Sequence, residues 1–163
     1  MSVWKWWIAI AATALVVGGV AWLLKLWVIV ATDGRVAYTG AAATFFELGL
    51  YSLLVGSTGV GLRLTMKLET SLRVILAVVS PFAFFVLFGV FSGIGYALVA
   101  IGRLIVGDAL PSYLLEKGGI FVSAVVGLVA GIWLVVDVVV RGVPDTTHGA
   151  SGSRQAESQL RVR

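Results

Sequence analysis

Residues 74–102 read VILAVVSPFAFFVLFGVFSGIGYALVAIG, a run of 29 residues without a charge between Arg73 and Arg103. A bilayer core about 30 Å thick is crossed by roughly 20 apolar residues of α-helix. The run is therefore long enough to span a membrane, and its extra length favours a tilted or bent helix. Because backbone amides inside lipid must be paired within their own segment, we predict that it is helical.

Three further segments of the same kind accompany this run. They comprise the 19 residues between Lys5 and Lys25, the 27 residues from Val36 to Leu62 with only Glu47 as a charge, and the 19 residues between Lys117 and Asp137. None shows the alternation of polar residues that is typical of a β-barrel strand. We predict an all-α integral membrane bundle of four transmembrane helices, with spans at about 6–30, 40–62, 76–100 and 118–140.

The composition of the chain agrees with a membrane protein. Of its 163 residues, 60% are hydrophobic and 12% are charged, against about 45–50% apolar and about 25% charged in a soluble domain. This balance excludes a water-soluble globule, a disordered chain and a coiled coil. The absence of cysteine excludes disulfides, zinc–thiolate sites and iron–sulfur clusters. The net charge of +4 comes from basic residues at the ends of apolar runs, so we expect the lipid bilayer as partner and no nucleic acid.

The distribution of Lys and Arg predicts the orientation of the bundle. Eight of these residues lie in the N-terminus, the second loop and the C-terminal tail, and four lie on the other side of the membrane, namely Lys25, Arg35, Arg103 and Lys117. By the positive-inside rule, both termini are predicted to be cytoplasmic. The excess of Arg over Lys and the abundance of Val, Ala and Gly suggest the plasma membrane of a prokaryote.

The loops and the tail carry a smaller set of expectations. We expect residues 1–143 to form the transmembrane domain and residues 144–163, which lack apolar periodicity, to be a disordered cytoplasmic tail. The second loop, Arg63–Arg73, is predicted to be a helical extension. In the third loop, Leu104–Glu116, Asp108 can cap a short helix that lies in the membrane interface.

Small residues recur every four positions in spans 3 and 4. Such stripes allow helix backbones to approach closely in lipid, where no hydrophobic force drives helices together. We predict that spans 3 and 4 pack against each other along these stripes, and the competing use is a contact between copies of the chain. The stripes are Gly89, Gly93 and Ala97 in span 3, and Gly119, Ser123, Gly127 and Gly131 in span 4.

The end of span 2, Gly56–Gly61, is the segment inside the membrane that favours a helix least. A break there would expose carbonyls to a cation, as in the discontinuous helices of transporters. The alternative that we prefer is a close-packed helix end, with serine and threonine hydroxyls bonded back to the preceding turn.

Glu47 is the ionisable residue predicted to lie deepest in the membrane. A carboxylate there must face protein, pair with a cation or be protonated. Lys25 lies at a similar depth on the neighbouring span and is the natural partner, and Tyr51 lies one turn from Glu47. We favour a structural Glu47–Lys25 pair, or a glutamate that reaches the outer surface. The alternative is a proton or cation site formed by Glu47, Lys25 and Tyr51.

The sequence contains few of the residue combinations that catalysis requires. His148 is the only histidine and falls in the predicted tail, so neither a Ser–His–Asp triad nor a His-Glu-x-x-His metal site is possible. Glu47 and Asp137 are predicted at opposite depths, which excludes an aspartyl dyad. We expect no enzyme activity, cofactor or metal. The predicted function is an accessory subunit of a larger membrane complex or a self-associating scaffold, and the alternative is a small proton- or cation-coupled transporter or channel that uses Glu47.

Overall fold

A computed structural model describes residues 3–36, 38–107 and 117–141 of the chain. These residues are all-helical, as predicted, and contain no β-strand. The four helices are α1 (Val3–Ala31), α2 (Gly40–Leu64), α3 (Thr70–Val106) and α4 (Gly118–Arg141). Each is long and apolar enough to cross a membrane, which confirms the four candidate spans by length and composition.

The structure extends span 3 and corrects the prediction for the second loop. α3 begins at Thr70 and runs for 37 residues, beyond both limits of the predicted span at 76–100. The second loop, Arg63–Arg73, is helical only at its two ends, which belong to α2 and α3. Between them lies a turn in which the Leu68 amide donates to the Thr65 carbonyl at 2.9 Å. The predicted interfacial helix and the predicted tail fall outside the described residues, apart from residues 104–107, which complete α3 and its C-cap.

The turn between α1 and α2 is tight because two successive residues adopt a left-handed backbone. Asp33 has φ of 50° and Gly34 has φ of 78°. The Gly34 amide donates to the Ile29 carbonyl at 2.8 Å, and the Thr32 hydroxyl donates to the Val28 carbonyl at 2.7 Å. These bonds satisfy carbonyls at the end of α1 that have no partner within the helix.

Neighbouring helices run antiparallel and surround a common core. α1 packs against α2 and α4, and α3 packs against the same two helices from the other side. One end of the bundle contains the start of α1, the α2–α3 turn and the end of α4, and we call it the proximal end. We call the opposite end the distal end. The core contains Ile8, Leu15, Trp22, Leu53, Leu62 and Leu134, all almost fully buried.

Glycines set the distance between α1 and α2. A Cβ at Gly49 would lie 2.0 Å from the Trp22 ring, and a Cβ at Gly56 would lie 2.4 Å from Leu15. α2 stays helical through the Gly56–Gly61 segment, where the Ser57 hydroxyl donates to the Leu54 carbonyl at 2.7 Å. The prediction of a close-packed helix end is confirmed, and the alternative of a broken helix is wrong.

The α4 stripe is a surface of close contact, as predicted, but it packs mainly against α1 and α2 and not against α3. A Cβ at Gly127 would lie 2.6 Å from Leu53 of α2, and one at Gly131 would lie 2.9 Å from Val16 of α1. Ser123 is 2% exposed. Of the three glycines in this stripe, only Gly119 meets α3, where a Cβ would lie 2.5 Å from Ser92.

The α3 stripe does not pack inside the bundle, which contradicts the predicted contact between the two stripes. Gly89, Gly93 and Ala97 are exposed, and nothing lies within 4 Å of a Cβ at either glycine. α3 instead meets α4 through Gly95, whose Cβ would lie 2.1 Å from the Gly118 backbone. Gly93 and Gly95 are two residues apart, about 200° around the helix, so the stripe faces away from the contact.

α3 passes through Pro81 without a break. Proline has no amide hydrogen, so the carbonyl four residues before it loses its helical donor. The Ser80 hydroxyl donates to that carbonyl, Ala77, at 2.8 Å. Ser80 also lies at the crossing of α2 and α3, since a Cβ at Gly61 would lie 2.8 Å from the Cβ of Ser80. Ser80 therefore repairs the hydrogen bonding that Pro81 interrupts.

The opposite placement of Gly93 and Gly95 provides a test of the fold. We expect Gly95→Ala to lower the free energy of unfolding by about 1–3 kcal/mol, because backbone atoms of α4 must move to admit the methyl group. Gly93→Ala should leave it unchanged or raise it by roughly 0.5–1 kcal/mol through helix propensity. Reversible unfolding of the purified chain in mixed micelles measures both. Equal effects of the two substitutions would contradict this packing.

Candidate functional site

The structure separates the three residues of the predicted ion site. Glu47 and Tyr51 lie on the exposed face of α2, and Tyr51 is 65% exposed. Lys25 points into the bundle and is 4% exposed. No ion pair joins Glu47 to Lys25 within the described part of the chain, so the predicted pair is not formed. The alternative of a glutamate that reaches the outer surface of the membrane stays a prediction.

Trp22 explains why Glu47 faces outward. The Trp22 indole N–H donates to the Phe46 carbonyl at 3.0 Å, and the two rings stack with centroids 5.8 Å apart. These contacts turn Phe46 toward α1. The next residue along a helix lies about 100° further round, so Glu47 points away from α1.

A cluster of basic and aromatic side chains lies at the distal end, in place of the predicted site. The Lys25 ammonium lies 4.1 Å from the centroid of the Phe46 ring and 5.9 Å from that of Tyr38. The Lys117 ammonium donates to the Tyr38 hydroxyl at 2.6 Å and lies 4.3 Å from the centroid of its ring. We call Lys25, Lys117, Tyr38 and Phe46 the distal lysine cluster.

Four different parts of the chain supply the distal lysine cluster. Lys25 comes from α1, Phe46 from α2, Tyr38 from the segment between them, and Lys117 directly precedes α4. Both lysines are more than nine-tenths buried, whereas Tyr38 is 71% exposed. Aromatic faces attract ammonium groups, and the attraction grows when the cation is desolvated. The cluster therefore holds two positive charges at one end of the bundle, with its tyrosine open to the surroundings.

A cavity of about 400 Å³ adjoins the cluster between α1, α3 and α4. Lys117 forms part of its wall, and the close approach of Gly95 and Gly118 closes one side. The rest of the wall is apolar and consists of Leu26, Val30, Leu98, Val99, Phe121 and Val122.

A second cavity, of about 260 Å³, lies between all four helices. Its wall is apolar apart from three serines, Ser57, Ser80 and Ser123. The hydroxyls of Ser57 and Ser80 donate to carbonyls of their own helices. The Ser123 hydroxyl is buried without a hydrogen-bond partner among the described residues.

The proximal end is held by an ion pair that sequence reasoning missed. The Arg63 guanidinium donates to the Asp137 carboxylate, and the two side chains are 11% and 5% exposed. Arg63 also donates to the Met66 sulfur at 2.9 Å. The sequence shows both charges next to apolar runs, but their 74-residue separation hides the contact.

Arg73 secures the turn between α2 and α3. It is 6% exposed, and its guanidinium donates to the carbonyls of Met66 at 2.7 Å and Leu68 at 2.9 Å. The same group lies 6.0 Å from the centroid of the Trp4 ring. These contacts tie the turn to the start of α1, so a residue that sequence analysis used only as a topology signal has a structural role.

The described residues contain no group of three or more His, Cys, Asp or Glu side chains that could hold a metal ion. His148 lies outside the described part of the chain. What the described side chains offer is a cluster of two lysines and two aromatic rings beside an apolar cavity at one end, and a charge pair at the other.

Comparison of the chain with family models, with curated proteins and with solved structures finds no match. The class of the protein therefore follows from its own fold and composition. The described residues form an all-helical fold, and its four apolar helices suggest a multi-pass membrane protein.

Neutralising a carboxylate is predicted to have a large effect on stability at the proximal ion pair and a small one at the exposed Glu47. We expect Asp137→Asn to lower the free energy of unfolding by roughly 3–5 kcal/mol, because it leaves the Arg63 charge buried without its carboxylate. Glu47→Gln, which also removes one carboxylate, should change it by less than about 0.5 kcal/mol. Unfolding in mixed micelles provides the measurement, and replacing both partners by Arg63→Met and Asp137→Leu should recover much of the loss. A larger effect at Glu47 than at Asp137 would refute this assignment.

Proposed function

We propose that the protein is a non-enzymatic multi-pass membrane protein that associates with copies of itself through α3. The observation that carries the proposal is the exposed stripe of Gly89, Gly93 and Ala97 on a helix long enough to span a membrane. Nothing within the chain lies within 4 Å of a Cβ at Gly89 or Gly93. Small residues four apart on an exposed helix face are the pattern through which membrane helices pack closely.

Large side chains beside the stripe add to this support. Phe82 and Val86 lie on the same side of α3 and are 68% and 71% exposed. Small residues flanked by larger ones produce a groove beside ridges on the helix surface. Two helices pack closely when the ridges of one fit into the groove of the other. A two-fold contact would place the same face of α3 from each copy together, so a single surface is enough for a dimer.

A self-associating scaffold fits the ionisable residues better than a transporter does. An ion carrier needs a polar cavity that reaches its carboxylate. Glu47 and Tyr51 are exposed, and neither lines the two cavities described above. We retain the cytoplasmic location of both termini in a plasma membrane, for which the support is the distribution of Lys and Arg along the sequence.

Substitutions of the stripe test self-association. We expect Gly93→Leu and Gly89→Leu to weaken dimerisation in liposomes by about tenfold or more, equivalent to roughly 1.4 kcal/mol, because the added side chains keep the backbones apart. Energy transfer between two labelled populations of the chain, measured over a range of protein-to-lipid ratios, gives the affinity. The monomer should keep its stability, since the space at both glycines is open.

The matched control is Ile94→Phe, which adds bulk to an exposed position about 100° around the same helix from Gly93. It should leave the dimer affinity unchanged. A wild-type chain that stays monomeric at every protein-to-lipid ratio would overturn the proposal and favour an accessory subunit whose partner is a different protein. Equal weakening by Ile94→Phe and Gly93→Leu would also count against the stripe.

A further inference from the structure

The second cavity, of about 260 Å³, lies between two crossings of α3. At the proximal crossing α3 meets α2 through Ser80 and Gly61, and at the distal crossing it meets α4 through Ser92 and Gly119. On α3 the wall of the cavity runs from Ser80 to Phe91, which is the stretch between these two contacts. The position of the cavity is therefore fixed by the close contacts that hold the bundle together.

Ser123 is a polar group of this cavity that has no hydrogen-bond partner among the described residues. It is 2% exposed. Serine in an apolar helix ordinarily donates to a carbonyl of the preceding turn. Ser57 and Ser80, which line the same cavity, do so at 2.7 Å and 2.8 Å. A buried hydroxyl without a partner is costly, so Ser123 offers an unused donor to a molecule that enters the cavity.

We propose that this cavity binds an uncharged lipophilic molecule through a carbonyl group, which accepts a hydrogen bond from the Ser123 hydroxyl. The hydrocarbon part of the ligand lies along Phe84 and Ala130, toward the proximal end. The wall selects this chemistry. None of the described lining residues is charged, so an ionic ligand would be left unpaired. A carbonyl oxygen accepts hydrogen bonds and donates none, which matches a site with one unused donor.

The volume of the cavity sets the size of the ligand. An apolar cavity of about 150 Å³ holds benzene, whereas drug-sized ligands occupy roughly 300–1,000 Å³. In proportion to benzene, a cavity of about 260 Å³ admits roughly ten carbon atoms. Ser123 and Ala130 are seven residues apart on α4, which corresponds to about 10 Å of helix. A chain or ring system of this size therefore fits along the wall, with its carbonyl at Ser123.

The ligand reaches the cavity from the bilayer, and in this respect the inference rests on the proposed membrane location of the chain. Three lining side chains are exposed, namely Leu64, Leu87 and Val126, so the cavity is open to the surroundings of the bundle. All three are apolar and belong to helices that are long and apolar enough to cross a membrane. An apolar entrance of this kind admits a molecule that is dissolved in hydrocarbon.

The cavity is independent of the α3 stripe. Leu87 lines the cavity, and Gly89 of the stripe follows two residues later, about 200° around the helix. The two features therefore lie on opposite sides of α3. Loss of self-association would leave ligand binding in place, and loss of ligand binding would leave the dimer in place.

The experiment compares two probes that have the same number of non-hydrogen atoms, methyl octyl ketone and undecane, of which only the ketone has a carbonyl group. Full-length protein in mixed micelles is titrated with each probe at equal concentrations in the micelle. The rise in melting temperature gives the affinity, because a ligand that binds only the folded chain stabilises it. We expect the ketone to bind about fivefold more tightly than undecane, which is the contribution of one hydrogen bond.

Ser123→Ala removes the donor and should bind the two probes equally. Without a probe it should not lower the melting temperature, because the hydroxyl has no described partner to lose. Ser57→Ala is the matched control, since it makes the same change in the same cavity at a hydroxyl that donates to its own helix. It should keep the preference for the ketone. Equal affinities of the two probes for the wild-type chain would overturn the proposal, as would an equal loss of preference in Ser57→Ala and Ser123→Ala.

Two further measurements separate the hydrogen bond from an effect on folding and locate the probes. In the infrared spectrum of the wild-type chain, the bound ketone should show a carbonyl stretching band at lower frequency than the ketone in micelles alone. Absence of this band would refute the hydrogen bond even if Ser123→Ala fails to fold. Ala130→Leu adds bulk to the wall and keeps the donor, so it should weaken the binding of both probes. Unchanged affinities in Ala130→Leu would place the probes outside the cavity and overturn the proposal.

Discussion

Close approach of helix backbones is the constraint on which the rest of this structure depends. Lipid tails are as apolar as leucine, so burying leucine against another helix gains little in a bilayer, and packing must supply the attraction. The chain meets this requirement with glycines at the helix crossings. Gly49 and Gly56 admit Trp22 and Leu15 between α1 and α2, and Gly95 brings α3 against the start of α4. Both cavities adjoin such crossings, since Gly95 and Gly118 line the first and Leu15 lines the second.

The same constraint explains where the charges lie. A buried charge is tolerated only with a partner, so the described buried charges occur near the ends of the bundle and contact other polar or aromatic groups. Arg63 meets Asp137 at the proximal end, and Lys25 meets Phe46 at the distal end. The middle of the bundle between them is apolar apart from serine and threonine hydroxyls, most of which bond to their own helix. This arrangement is the reason that we propose a scaffold rather than a conduit for ions.

Much of the fold could be predicted from sequence, and much less of the candidate site could be. The four candidate spans follow from uncharged runs, since length and hydropathy are local properties. The helical course of Gly56–Gly61 also followed from local chemistry, because hydroxyls bond to the preceding turn. Pairing Glu47 with Lys25 failed because depth in the membrane says nothing about rotation around the helix axis. The predicted contact of Gly89 and Gly93 with α4 failed for the same reason. These glycines lie on the side of α3 that faces away from α4.

The sequence by itself determined the class of fold, the number of candidate spans and the positions at which backbones are able to approach. It did so because hydropathy, glycine content and charge are read residue by residue. Only the tertiary structure decided which face of each helix turns inward, and with it the partners of Arg63 and Lys25 and the exposure of Glu47. The physical reason is that helix rotation is set by the fit of whole surfaces, here by Trp22 against Phe46 and Gly49. No single position along the chain carries that information.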